Sequence, residues 1–132
     1  MANPNIAGAS TTIYGVTAYN TPGTTAATVL LSNAASSGTV MRINQIVAAN
    51  VNGSAAVDAT VSIYTNGAVA QGSAPSSGTA YPIVSTVSVP ADASLIVVDK
   101  TTAIYLQEGT SITITSGTAS GITYSISYED IS

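Results

Sequence analysis

Apolar residues in this chain recur at every second position, in short runs that clusters of Gly, Pro, Asn and Ser interrupt roughly every dozen residues. That spacing admits strands and leaves no segment with the 3.6-residue period of a helix. The side chains agree with the spacing. Ile and Val together number 26 against 4 Leu, and β-branched residues suit a pleated, half-buried surface.

Strands are predicted over residues 11–17, 27–32, 39–51, 57–65, 81–89, 94–98, 103–107, 110–115 and 122–128. The clearest half-buried pattern sets Val57, Ala59, Val61 and Ile63 against Asp58, Thr60 and Ser62. In 39–51, Met41, Ile43, Val47 and Ala49 share a parity that Ile46 breaks, which predicts a β-bulge or a segment covered on both faces. The apolar run 94–98 reads as buried on both sides. Asn52-Gly53 reads as a tight hairpin turn, since both residues tolerate positive φ; this takes precedence over the glycosylation sequon Asn52-Gly53-Ser54. The lowest-complexity stretch, 71–79, reads as an exposed loop. About nine strands spaced in this way predict an all-β fold, an antiparallel β-sandwich of jelly-roll or Greek-key type. Residues 1–10, with Pro4, Gly8 and no apolar period, read as a flexible N-terminal arm that carries Ile6, and residues 11–132 as a single domain.

Several kinds of chemistry are missing from the residue set. The chain has no His and no Cys, so it cannot form a Ser-His-Asp or Cys-His nucleophile, a thiolate zinc site or a disulfide. Arg42 and Lys100 are its only cationic side chains and its net charge is -4, too few cations for a nucleic-acid backbone or an anionic membrane. No run of apolar residues is long enough for a spanning helix, and the first ten residues carry no secretory signal, so the chain is expected to be made and assembled in a cytoplasm. Asp58, Asp92, Asp99, Glu108, Glu129 and Asp130 are scattered over turns and strand ends, and neither a catalytic carboxylate pair nor a calcium loop stands out. No catalytic, cofactor-binding or metal-binding residue is expected, and the protein reads as a non-enzyme.

Seven Tyr with no Trp or Phe form an unusual aromatic set, suited to contacts where one end of the ring stays wet. Tyr14, Tyr19 and Tyr81 lie beside predicted turns and are candidates for exposed contact, with Ile6 in the arm. Tyr124 and Tyr128 share a strand face with Ile122 and Ile126, where core or subunit contact is expected; Arg42 reads as a surface or interfacial ion-pair residue and Lys100 as a solvated loop charge. Charged residues make up only 6% of the chain, which leaves little charge to protect sheet edges or to keep copies apart. Self-association is therefore expected, as a symmetric oligomer such as a homotrimer.

Three stretches carry a family likeness: Met1-Ala-Asn-Pro-Asn-Ile6 with Thr12-Ile-Tyr-Gly15; Val87-Ser-Val-Pro-Ala-Asp-Ala-Ser-Leu-Ile-Val97; and Ile104-Tyr-Leu-Gln-Glu-Gly109 with Ile126-Ser-Tyr-Glu-Asp-Ile131. Together they resemble the small β-rich virion structural proteins of tailed bacteriophages, especially those of cyanobacteria and other marine bacteria. The resemblance rests on strand and turn patterns, and it implies a non-enzymatic part of the virion. A capsid decoration or cement protein, contacting its own copies and the major capsid protein, fits the size; a neck, tail or tail-fibre component, including a glycan-binding adhesin-type module, is the alternative. The resemblance assigns no functional residue.

Overall fold

The computed structural model describes residues 12–132; the proposed arm and its Ile6 lie outside the described residues. Nine strands follow one another: β1 Ile13–Asn20, β2 Thr28–Asn33, β3 Val40–Asn50, β4 Val57–Tyr64, β5 Ala80–Val89, β6 Ser94–Val98, β7 Ile104–Leu106, β8 Thr110–Ser116 and β9 Ile122–Ile131, with a 3-10 turn at Lys100–Thr102. They form two antiparallel sheets. One has the order β1-β9-β3-β6 with β7 also on β3, and the other β2-β8-β4-β5.

The antiparallel partners are nested. β1 pairs with β9, β2 with β8, β3 with both β6 and β7, and β4 with β5. If β6 and β7 are taken as one interrupted strand, the chain is a single long hairpin rolled so that successive pairs fall in alternate sheets, which is jelly-roll topology. Between the sheets pack Ile43, Ile46, Ala48, Ile122, Tyr124 and Ile126 from one side and Leu31, Val57, Ala59, Val61, Ile112 and Ile114 from the other. Apolar burial of this kind contributes about 25 cal/mol per Å², and the alternating sequence aims it at one core.

The parity break in β3 is a bulge. Ile43 pairs with Tyr128 and Gln45 with Ser127, so Asn44 is the extra residue, and the inward set changes from Met41 and Ile43 to Ile46 and Ala48. β9 extends past the predicted 122–128 to Ile131, since it lies between β1 and β3 and is hydrogen-bonded on both sides along its length. β1 likewise runs through Tyr19 and Asn20, which the sequence places in a turn.

Other expectations are corrected. Asn52-Gly53 joins β3 of one sheet to β4 of the other, so it is a corner and not a hairpin turn. Neither residue uses positive φ; the Asn52 side chain instead accepts bonds from the Ser54 N–H and Oγ. The run 94–98 is not buried on both faces, because β6 is an edge strand and leaves Ile96 exposed. In β4 the inward alternation holds for Val57, Ala59 and Val61, while Ile63 is only half-buried and Ser62 and Tyr64, on the opposite face, are buried.

The covering over Ser62 and Tyr64 is the loop 65–79, which lies on the outer face of the β2-β8-β4-β5 sheet. Ser111 Oγ donates to the Asn66 carbonyl at 2.8 Å and the Gly78 N–H to the Tyr64 hydroxyl at 2.9 Å. At the edge of the same sheet, the Val29 N–H donates to Ser73 O and the Gly72 N–H to Val29 O. The stretch 71–79 is largely exposed, as its composition suggests, yet its backbone is tied to the sheet it crosses.

Two buried asparagines hold the sandwich corners. Asn33, at the end of β2 and 1% exposed, donates through Nδ2 to Thr39 O and to Leu106 O of the opposite sheet, both at 3.0 Å. Asn50, at the end of β3 and 4% exposed, donates through Nδ2 to Ala55 O and to Val89 O of the opposite sheet, at 3.0 and 2.8 Å. Each satisfies carbonyls that the ladder leaves free where the chain changes sheets.

Candidate functional site

The edge strand β1 departs from the rest of the sandwich. Its eight residues carry no charge, no Pro and no register shift, and they pair evenly with β9 from Ile13↔Ile131 to Asn20↔Tyr124. Among the described residues its other edge is open. Ile13 is 59% exposed, Tyr14 62%, Val16 40% and Tyr19 77%. By register, Tyr14 lies opposite Asp130, whose parity is that of the inward Tyr128, and Ile13 lies opposite Ile131 on the outer face. Large apolar groups are thus bare on both faces of one strand, where β1 projects beyond the filled core.

Backbone geometry fixes what the edge offers. The Ser132 N–H donates to Thr12 O, so Thr12, Tyr14, Val16, Ala18 and Asn20 turn their peptide groups toward β9. Ile13, Gly15, Thr17 and Tyr19 turn theirs to the open side. Four residues therefore present an unpaired row of N–H and C=O groups, the template onto which another strand can add.

The structure spreads the other sequence candidates over several environments. Tyr81 is exposed on β5, at the far end of the other sheet from β2. Arg42 is half-buried on the outer face of β3, directly opposite Glu129 on one side and Tyr105 on the other. Glu129 Oε1 also accepts from Asn44 Nδ2 at 3.2 Å, so the bulge places an amide beside this cross-strand pair of opposite charges. Tyr124 and Tyr128 do share a face with Ile122 and Ile126, and that face is the inner one, where both pack in the core. Lys100 opens the 3-10 turn that Asp99 caps, and hydrogen bonds from Thr101 hold the Asp99 carboxyl below the usual aspartate value. Among the described residues, no three of His, Cys, Asp and Glu stand together.

Sequence reasoning missed Ile13, Val16, Ile96 and Tyr105 as exposed apolar residues. Tyr105 alternates with Ile104 and Leu106, a signal too short to assign a face. Ile13 and Val16 look like ordinary strand residues, and only the strand order reveals that β1 is an edge.

Tyr124 has a structural duty with a measurable signature. Its hydroxyl crosses the core and donates to Thr115 O at 2.5 Å, and burial pushes its pKa up to about 12. Tyr128 moves in the same direction, through burial and the neighbouring Asp130 carboxylate. Protonated tyrosine is neutral, so a raised folded-state pKa means that the folded protein holds the proton more tightly than the unfolded chain. The associated stability is complete below about pH 10 and is lost as pH rises toward about 12. Tyr124→Phe is expected to cost about 1 kcal/mol at neutral pH and to flatten this alkaline decline in urea unfolding curves. An unchanged slope above pH 10 would show that Tyr124 does not carry it.

Comparisons with protein-family models, with curated proteins and with solved structures each returned no match.

Proposed function

We propose that the chain is a non-enzymatic structural subunit of a virus particle, a capsid decoration protein that packs against its own copies and the major capsid protein in a virion assembled in the host cytoplasm. The observation that carries this proposal is the uncharged β1 edge, with Ile13, Tyr14, Val16 and Tyr19 exposed beside an unpaired backbone row. A surface of that kind is tolerable when neighbours cover it and is a hazard when they do not. Jelly-roll order adds support, since viral capsid domains use it; lectins and cupins do too, so the fold by itself selects no function. The resemblance carried by 1–6 with 12–15, 87–97, and 104–109 with 126–131 adds the virion context.

Quantitative mass spectrometry of purified particles tests the proposal. The chain is expected in a fixed, high ratio to the major capsid protein. Its absence from particles overturns the virion assignment, and a few copies per particle would move it to the neck or fibres. A second reading, a tail-fibre module that binds a host glycan, is favoured by the exposed rings of Tyr19, Tyr81 and Tyr105. A glycan array without a binder would remove it.

A further inference from the structure

We propose that β1 pairs with β1 of a second copy, antiparallel and about a two-fold axis perpendicular to the sheet, so that two five-stranded sheets become one. This rests on the self-association reading above and names the surface that would carry it.

The other edges of the described residues are covered or interrupted. At β2, Val29 already exchanges backbone hydrogen bonds with Gly72 and Ser73. β5 carries Pro82 and two register shifts, and Thr86 sits at φ 48, a left-handed conformation costly for a β-branched residue. β6 and β7 are five and three residues long and are separated by the charged Asp99-Lys100 turn. Among the described residues, only β1 is long, regular, uncharged and open. A foreign edge strand would also fit hydrogen bonds of this kind, but β1 suits its own copy in particular: neither strand brings a charge to repel the other, and an antiparallel two-fold pairing is self-complementary and closed. With one such edge among the described residues, growth stops at two.

The axis must keep each sheet face on its own side, so paired residues share parity. Centred on Thr17, the pairing sets Thr17 against Thr17 of the second copy, and all four outward peptide groups lie in or next to the new ladder. Gly15 then lies opposite Tyr19 of the second copy. A side chain added at Gly15 would meet nothing within 4 Å, and the tyrosine ring covers that vacant strip. On the inner side, Val16 and Tyr14 meet Ala18 and Asn20 of the second copy, which covers the groups left bare where β1 overhangs the core. This geometry points to a two-fold pair in place of the trimer expected from composition.

Sedimentation equilibrium of the full chain over a concentration series tests it. The expected mass is twice the 13.0 kDa of one chain. Thr17→Pro removes an outward N–H and no backbone bond to β9, losing only the exposed Thr17 Oγ1–Ser127 Oγ contact at 3.1 Å, and it is expected to halve that mass while circular dichroism keeps its strand signature. Thr17→Lys places like charges face to face and is expected to do the same if proline disturbs β1. A wild-type chain that stays single at every concentration overturns both the pairing and self-association. A trimer, or association that neither variant weakens, overturns the β1 pairing and leaves self-association standing.

Discussion

Gly67→Ala is expected to lower the melting temperature by roughly 10 °C, corresponding to about 3 kcal/mol of lost stability for a domain of this size. A Cβ on Gly67 would lie 2.0 Å from Asn33 O and 2.9 Å from the carbonyl carbons of Asn33 and Gly109. These are backbone atoms at the junction where the Gly109 N–H donates to Asn33 O, so no flexible side chain can move aside. The loop itself must shift. It would lose the bond from Ser111 Oγ to Asn66 O and uncover Val29, Ser62, Tyr64 and Thr113, all buried beneath it or at its margin. Limited proteolysis within 65–79 should accelerate in step with the fall in melting temperature. A variant that melts within a degree or so of the parent would show that the loop does not need this close approach.

Asn50→Ala should destabilise the domain by about 3 kcal/mol, with Asn33→Ala close behind, because each change strands two carbonyls. Asn50 Nδ2 bonds Ala55 O and Val89 O, and its Oδ1 accepts from the Asn52 N–H at 2.7 Å. Asn33 Oδ1 in turn accepts from Ser37 Oγ, which ties the 34–39 loop to the same corner. Burial denies Val89 O, and Leu106 O at the other corner, a substitute bond to water, and that sets the size of the effect. Urea unfolding of each variant gives the number; a loss under about 1 kcal/mol would mean that water or neighbouring groups take over the bonds.

The sequence made the layer structure legible through its two-residue period. The parity break at Ile46 left a bulge or a doubly covered segment as its two readings, and the register resolves it as a bulge at Asn44. What it hid depends on partners distant along the chain. Asn33 and Asn50 sit next to Ser- and Gly-rich loops and look like turn residues, yet each is buried and bridges the two sheets. Asn52-Gly53 carries a hairpin's local signal, and the sheet change overrides it. Ser62 reads as solvent-facing because nothing local says that a low-complexity loop will fold back over it and over Ser111 and Thr113 beside it. Edge protection was misjudged for a similar reason. Charge is scarce, but Pro82 with the bulges of β5 and the loop bonds at Val29 blunt two edges without it. The open edge could not be found from composition, because nothing in the residues 13–20 distinguishes an outer strand from an inner one.

The central claim is that β1 is a contact edge awaiting a strand, and residue-resolved amide exchange at high and low protein concentration tests it most directly. The N–H groups of Tyr14, Val16 and Ala18, turned toward β9, should be protected throughout. Those of Ile13, Gly15, Thr17 and Tyr19 should gain protection at high concentration and lose it on dilution. If those four exchange freely at every concentration while the chain self-associates, the edge is not where copies meet.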